Sequence, residues 1–187
     1  MPENFSRYSD SRLFGLLREG RSEKDQAFAE LYARHSSRVW LYCLKVMGER
    51  QSAEDMFQGT FLRFLQSAQT EREMTNVPGF LLTIARNLCL NAKQKMKPIS
   101  APLEDLELPV EEHPVEIREL ERLVSTALDL LPEEHREAFV LQAYNGMSYK
   151  EIAEMIDRPV STVRNRVVRA KKKLREILAP YLVDYRE

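Results

Sequence analysis

The sequence is poor in the residue types from which enzyme sites, metal centres and disulfide frameworks are built. Its 187 residues include two cysteines, three histidines and one tryptophan. Cys43 and Cys89 sit inside apolar helical patterns, without the CxxC or Cys/His spacing of a zinc site, so both are expected to be reduced core residues. His35, His113 and His135 are scattered, and no nucleophile, base or metal-ligand cluster forms around them. His35 lies beside a core stripe and reads as structural. No catalytic residue, metal or cofactor is therefore expected, and the chain does not read as an enzyme. There are only six glycines, no glycine-rich phosphate loop and no alternating strand pattern, which argues against a ligand-binding or phosphate-accepting α/β domain. No signal peptide is evident, and no apolar run approaches the roughly 18 residues of a membrane span. A cytoplasmic protein without membrane insertion is expected. The net charge of -1 also excludes a globally basic nucleic-acid coat, so any positive face must be local.

Such a face is present in the C-terminal third. Tyr149, Ile152, Ala153 and Ile156 recur at i, i+3, i+4, i+7, and Val163, Val167, Ala170 and Leu174 at i, i+4, i+7, i+11, each set forming one buried helical stripe. Asp157-Arg158-Pro159 separates the two helices, because proline restricts the residue before it and is accepted in a first helical turn. Ser161 or Thr162 is expected to cap the second helix or to contact a phosphate. With the valines inward, Arg164, Asn165 and Val168 face outward. Eight basic residues and no acidic one occur from Arg158 to Arg175. A helix-turn-helix has this arrangement, since its second helix must bring arginine or asparagine to base edges while other cations meet phosphates. The competing reading is a solvated helix whose cations suit its dipole. Upstream, Pro132, Glu133, Glu134 and Gly146 bracket a bracing helix over 132–144, with Phe139, Val140 and Tyr144 turned inward.

The N-terminal half reads as helical throughout. A stripe from Phe28 through Leu31, Tyr32, Val39, Tyr42, Cys43 and Val46 predicts a long core helix closed by Gly48. Ser52 and Asp55 are expected to open the next in a capping-box-like pattern, followed by Ala53, Met56, Phe57, Thr60, Phe61, Phe64 and Leu65. A third begins near Asn76-Val77-Pro78 and continues through Leu81, Ile84, Ala85, Leu88 and Ala92. Arg86, Lys93, Lys95 and Lys97 occur with no acidic residue over 81–99, and Asn87 shares the polar side with Arg86. A second nucleic-acid face and a helix end suited to its dipole both fit that pattern. Between Ala101 and Glu121, eight carboxylates stand against one cation, Arg118, with prolines at 102, 109 and 114. This reads as a linker, either kept extended by its charge or mimicking nucleic acid in a basic channel.

The segments AEDMFQGTFLRF (53–64) and FLLTIARN (80–87), followed by the acidic stretch and TVRNRVVRAKKKL (162–174), resemble an extracytoplasmic function (ECF) sigma factor of the sigma-70 family. The resemblance implies an all-α fold of two small helical domains. A region 2 helical bundle (1–97) would bind core polymerase and recognise and melt the minus-10 element; an acidic, proline-containing linker (98–116) would follow; a region 4 helix-turn-helix (117–187) would read the minus-35 element. Asp55, Gln58, Gly59 and Leu62 would meet the clamp helices of the largest polymerase subunit. Asn76, Phe80, Arg86, Asn87 and Lys93 would serve the minus-10 element, with Asn87 reading an extruded non-template base. Arg164, Asn165 and Val168 would face minus-35 bases, and Ser161, Thr162, Arg166, Arg169 and Lys172 would complete that set, largely on phosphates. The implied partners are core RNA polymerase, including the flap of its second-largest subunit, promoter DNA and an anti-sigma factor. Gly59 departs from the family's usual glutamate, and Phe80 from its frequent tryptophan. An autonomous helix-turn-helix regulator, a recombinase and a protein-binding helical adaptor are the rival readings.

Overall fold

The computed structural model describes residues 5–71, 74–95 and 115–181, the side chains of 115–118 excepted. Every regular element among them is helical: a 3₁₀ turn, Phe5–Arg7, then α1 (Asp10–Leu16), α2 (Arg21–Met47), α3 (Arg50–Ser67), α4 (Val77–Lys95), α5 (Val115–Asp129), α6 (Glu133–Ala143), α7 (Tyr149–Ile156) and α8 (Val160–Leu178). None of these helices is long and apolar enough to cross a membrane. The chain divides into two compact units, one holding α1 to α4 and the other α5 to α8.

In the first unit α2 is the axis on which α1 and α4 pack. It ends where expected, with Gly48 in the left-handed region at φ 76. Its start precedes Phe28, because Arg21 to Gln26 add a polar first turn and a half that apolar periodicity does not register. The unread helix α1 is too short for a periodic signal. It forms because Ser9 Oγ accepts from the Arg12 N–H at 3.3 Å while Asp10 lies in the first turn. Leu13, Phe14 and Leu17 are then fully buried, and each such side chain stabilises by about 1.5–3 kcal/mol.

Aromatic rings hold α3 in place. Phe61 lies 4.8 Å from Tyr32 and 6.1 Å from Phe28 between ring centroids, Phe57 lies 5.7 Å from Trp40, and Phe64 lies 5.4 Å from Phe14. Tilted and edge-on pairs of this kind add about 0.5–1.5 kcal/mol each beyond buried area. Helix α3 begins at Arg50, so Ser52 is inside the first turn and the expected capping box at Ser52–Asp55 does not open it. At α4 the entry is tighter. Asn76 Oδ1 accepts from the Gly79 N–H at 3.0 Å, and a Cβ on residue 79 would fall 2.6 Å from Asn76 Nδ2, so a larger residue there would shift the Asn76 amide.

In the second unit Ala127 and Leu128 at the end of α5, and Leu131 just beyond it, pack with Ala170 and Leu174 of α8, while Phe139 and Tyr144 close the cluster's side. The bracing helix spans Glu133–Ala143, within a residue of its predicted limits, and Gly146 follows at φ 65. Helix α5 corrects the linker reading: the acidic sequence is helical from Val115, so the linker's last two positions, 115 and 116, belong to a folded element. Positions 98–114 lie outside the described residues.

Candidate nucleic-acid interface

Helices α7 and α8 meet across the predicted break. Ser148 Oγ accepts from the Glu151 N–H at 3.2 Å, and Glu151 Oε2 accepts from the Ser148 N–H at 2.8 Å, a complete capping box for α7. Its last turn ends at Asp157 in the left-handed region, φ 52, a conformation that short polar side chains tolerate. Pro159 is the N-cap of α8 and supplies no side-chain hydrogen bond. The expected Ser161 or Thr162 cap is therefore corrected. Both residues already lie in the first helical turn, because the proline's fixed φ starts the helix one residue after the ring.

Val163, Val167, Ala170 and Leu174 are buried, as the stripe predicted. Opposite them Ser161, Arg164, Asn165, Val168, Arg169, Lys171, Lys172 and Lys173 are exposed. Val168 is 56% exposed, an apolar side chain in the middle of a polar face. Asparagine can pair with adenine, arginine with guanine, and an aliphatic group with a thymine methyl, so this face has residue types that can read base edges, bordered by cations of the kind that can meet phosphates. Arg166 departs from the expected set. It is turned against α6 in an ion pair with Glu134 and its side chain is only 15% exposed.

In the first unit Asp55, Gln58 and Leu62 follow one another at i, i+3, i+7 along the outer side of α3, and Leu62 is 61% exposed. Gly59 is not part of that stripe: a Cβ there would touch Leu88 Cδ1 of α4 at 3.4 Å. On α4, Asn87 is exposed, while Arg86 and Lys93 are half-buried. Asn76 is engaged in capping, and the Phe80 ring, half-buried, stands 6.3 Å from Phe64.

One cluster escaped the sequence reading. Arg34 on α2 donates from Nη1 to Tyr8 O at 2.9 Å and to Asp10 Oδ1 at 2.8 Å, from Nη2 to Ser6 O at 2.9 Å, and from Nε to Glu30 Oε1 at 2.8 Å. His35 Nε2 meets the other Asp10 oxygen at 2.6 Å. The Asp10 hydrogen bond raises the Arg34 pKa further. Only the Arg34–Glu30 pair at i, i+4 was visible along the chain; the remaining partners, the Phe5 carbonyl among them, are 24 to 29 residues away. The network ties the N-terminal segment to α2, and His35 is structural as expected. Cys43 and Cys89 are buried free thiols, and their mutual hydrogen bond, reinforced by burial, pushes the Cys43 pKa up. Among the described residues no three His, Cys, Asp or Glu side chains are grouped to hold a metal ion.

Comparison with known proteins assigns the two units separately. The family model described as Sigma-70 region 2 matches residues 31–97, and that described as Sigma-70, region 4 matches residues 121–174. The RNA polymerase sigma factor CarQ of Myxococcus xanthus is 32% identical over 161 residues, covering 84% of this chain and 92% of its own. The chain is an ECF sigma factor of the sigma-70 family.

The ECF sigma factor SigE of Mycolicibacterium smegmatis is 35% identical over 81% of this chain, which spans 62% of that longer relative. Among solved structures, the sigma factor RpoE of Bartonella quintana, crystallised with the anti-sigma factor NepR, superposes with a TM-score of 0.69 at 20% identity, covering 82% of this chain and 98% of its own. CnrH in complex with the cytosolic domain of CnrY superposes at 0.64 with 22% identity, over 96% and 100% of the two chains. These likenesses establish the all-helical fold of the sigma factor. Its family places it among alternative sigma factors, proteins that direct transcription initiation and are not enzymes. The region 2 match begins at Leu31 and leaves α1 outside, so the Arg34 network joins a segment inside the matched region to one beyond it.

Proposed function

We propose that this sigma factor binds core RNA polymerase through the outer side of α3, with Asp55, Gln58 and Leu62 on the clamp helices, and reads promoter DNA at two places. In the first, the exposed Asn87 of α4 pairs with an unstacked non-template base of the minus-10 element, offering both donor and acceptor, while Arg86 and Lys93 lie toward the backbone. In the second, Arg164, Asn165 and Val168 enter the minus-35 major groove, with Ser161, Thr162, Arg169 and Lys172 on phosphates. Residues 1–97 form the polymerase-binding and melting domain and the unit that begins with α5 at Val115 the minus-35 domain, and the acidic stretch of 98–114 between them threads the basic polymerase channel. The flap of the second-largest subunit receives the minus-35 domain. An anti-sigma factor, the kind of partner crystallised with RpoE of Bartonella quintana, holds the protein inactive in the cytoplasm.

The observation that carries this reading is the face of α8, where Arg164, Asn165 and Val168 are exposed opposite four core-packed residues. It is tested by in vitro transcription with core polymerase on genomic fragments, followed by start-site mapping. Starts sharing a common upstream element are expected only when the protein is added. Tight sequence-specific binding by the chain alone, with no association to core enzyme, would establish the autonomous regulator instead.

A further inference from the structure

Among the cations of α8, Arg166 alone is withdrawn from the exposed face: Arg164, Arg169, Lys171, Lys172, Lys173 and Arg175 are all exposed. Its partner Glu134 lies in the first turn of α6, where the helix dipole favours a carboxylate. Helix α6 is itself tied to the end of α5, because Arg136 donates to Asp129 Oδ1 at 2.7 Å and to Asp129 O at 3.3 Å. Two ion pairs thus link α5 to α6 and α6 to α8. Over its first half α8 otherwise packs through a stripe of small apolar residues, Val163, Val167 and Ala170, with Leu174, Ile177 and Leu178 packing farther along. Such a stripe sets the distance between helices more firmly than the rotation of one about its axis. At a helix radius of about 5–6 Å, turning α8 by about 15° displaces an outward side chain by about 1.5 Å, beyond the tolerance of a bidentate hydrogen bond to a base.

We propose that Arg166 is a positioning residue for minus-35 recognition rather than a phosphate contact, and that Glu134, through it, fixes the rotation of α8 that presents Asn165 and Val168 to the groove. This rests on the reading of α8 as the minus-35 helix, and it removes Arg166 from the phosphate set that the sequence implied. The cation is neutralised within the domain, so it does not release a counterion from DNA.

The test uses holoenzyme assembled from core polymerase and the full-length chain. Its probes are the promoter fragment recovered by start-site mapping and the same fragment with a scrambled minus-35 element, over a series of KCl concentrations. Arg166→Gln and Glu134→Gln are each expected to weaken the intact promoter about 5- to 20-fold, with the double variant no worse than the weaker single one. Binding to the scrambled fragment and the slope of log K against log[KCl] stay as in the parent. Glu134 is 68% exposed in its side chain, so its isosteric change leaves the fold intact, and a thermal midpoint is recorded for each chain. A slope flattened by about 0.9 in Arg166→Gln, with both fragments weakened alike, is the signature of a lost phosphate contact and overturns the proposal. Stronger promoter binding by Glu134→Gln overturns it as well, as does a lowered midpoint with unchanged discrimination between the fragments. Asn165→Ala serves as the control: if it leaves discrimination intact, the base-reading role of α8 fails, and the positioning role with it.

Discussion

Arg164, Asn165 and Arg166 are consecutive, yet the fold gives them different surroundings. The first two are exposed and the third is paired with a carboxylate 32 residues upstream. Local spacing foretold the outward pair, because the valines to either side had to be buried. It could not foretell Glu134, since no rule of spacing connects α6 to α8. Alanine at Arg164 or Asn165 is expected to cost about 1–3 kcal/mol at particular minus-35 base pairs, measured by holoenzyme binding to single-base promoter variants. Equal losses on every variant would assign them to phosphates. Arg34 was invisible for the same reason as Glu134: its partners at Ser6, Tyr8 and Asp10 are close only after folding. Replacing Arg34 with Met should lower stability to urea by about 1–3 kcal/mol, because Asp10 Oδ1 and the carbonyls of Phe5, Ser6 and Tyr8 lose their donor. Titration adds a sign. The Cys43 thiol, through Cys89 and burial, and the Tyr144 phenol, through burial and Glu121, are held above their ordinary values of 9.0 and 10.0. The unfolded chain releases these protons first, so their contribution is complete below about pH 8.5 and is lost as pH rises through the folded values. Urea midpoints should be level from about pH 7 to 8.5 and fall above about pH 9; a midpoint that rises there contradicts the assignment.

Among the elements, those with a clear apolar pattern or clear end signals were legible, and two helices were not. Helices α2, α3, α4, α7 and α8 follow from apolar stripes and α6 from its end signals, whereas α1 is seven residues and α5 begins inside an acidic stretch that composition marks as linker. The capping box of α7 had a local signal in Ser148 and Glu151. Ser148→Ala should cost about 1 kcal/mol, seen as an equal fall in the unfolding free energy of the second unit. The start of α8 went the other way, since Ser161 and Thr162 looked like caps while Pro159 already held that position. Gly59 gives a distinct expectation. A methyl there meets Leu88 at ordinary contact distance, and alanine is better than glycine inside a helix by about 1 kcal/mol, so Gly59→Ala should stabilise the first unit by up to that amount in urea unfolding. A loss of stability would mean that α3 and α4 approach more closely than this packing allows. Polymerase binding should be little changed, because the outward stripe of Asp55, Gln58 and Leu62 is untouched.

For the whole molecule the governing fact is a net charge of -1 on a chain that carries a basic helix at one end and a second candidate DNA-reading helix in the other unit. Nonspecific attraction to DNA grows with the phosphates neutralised, and a chain this balanced gains little of it. Each unit carries only one short candidate reading face, so promoter recognition should depend on polymerase holding both faces on the same DNA, which raises their effective concentration without new contacts. The family membership and the order of the motifs were legible in the sequence because they depend on local pattern. The division of labour among individual cations was not, because it is decided by tertiary ion pairs. The most direct measurement is binding of the mapped promoter by the chain alone, by core polymerase alone and by the two together, at one fixed salt concentration. The expectation is weak, sequence-indifferent binding by either component, with tight binding by the pair that collapses when Asn87 or Asn165 is replaced by alanine. Tight, sequence-specific binding by the chain alone, unchanged by core polymerase, would contradict it.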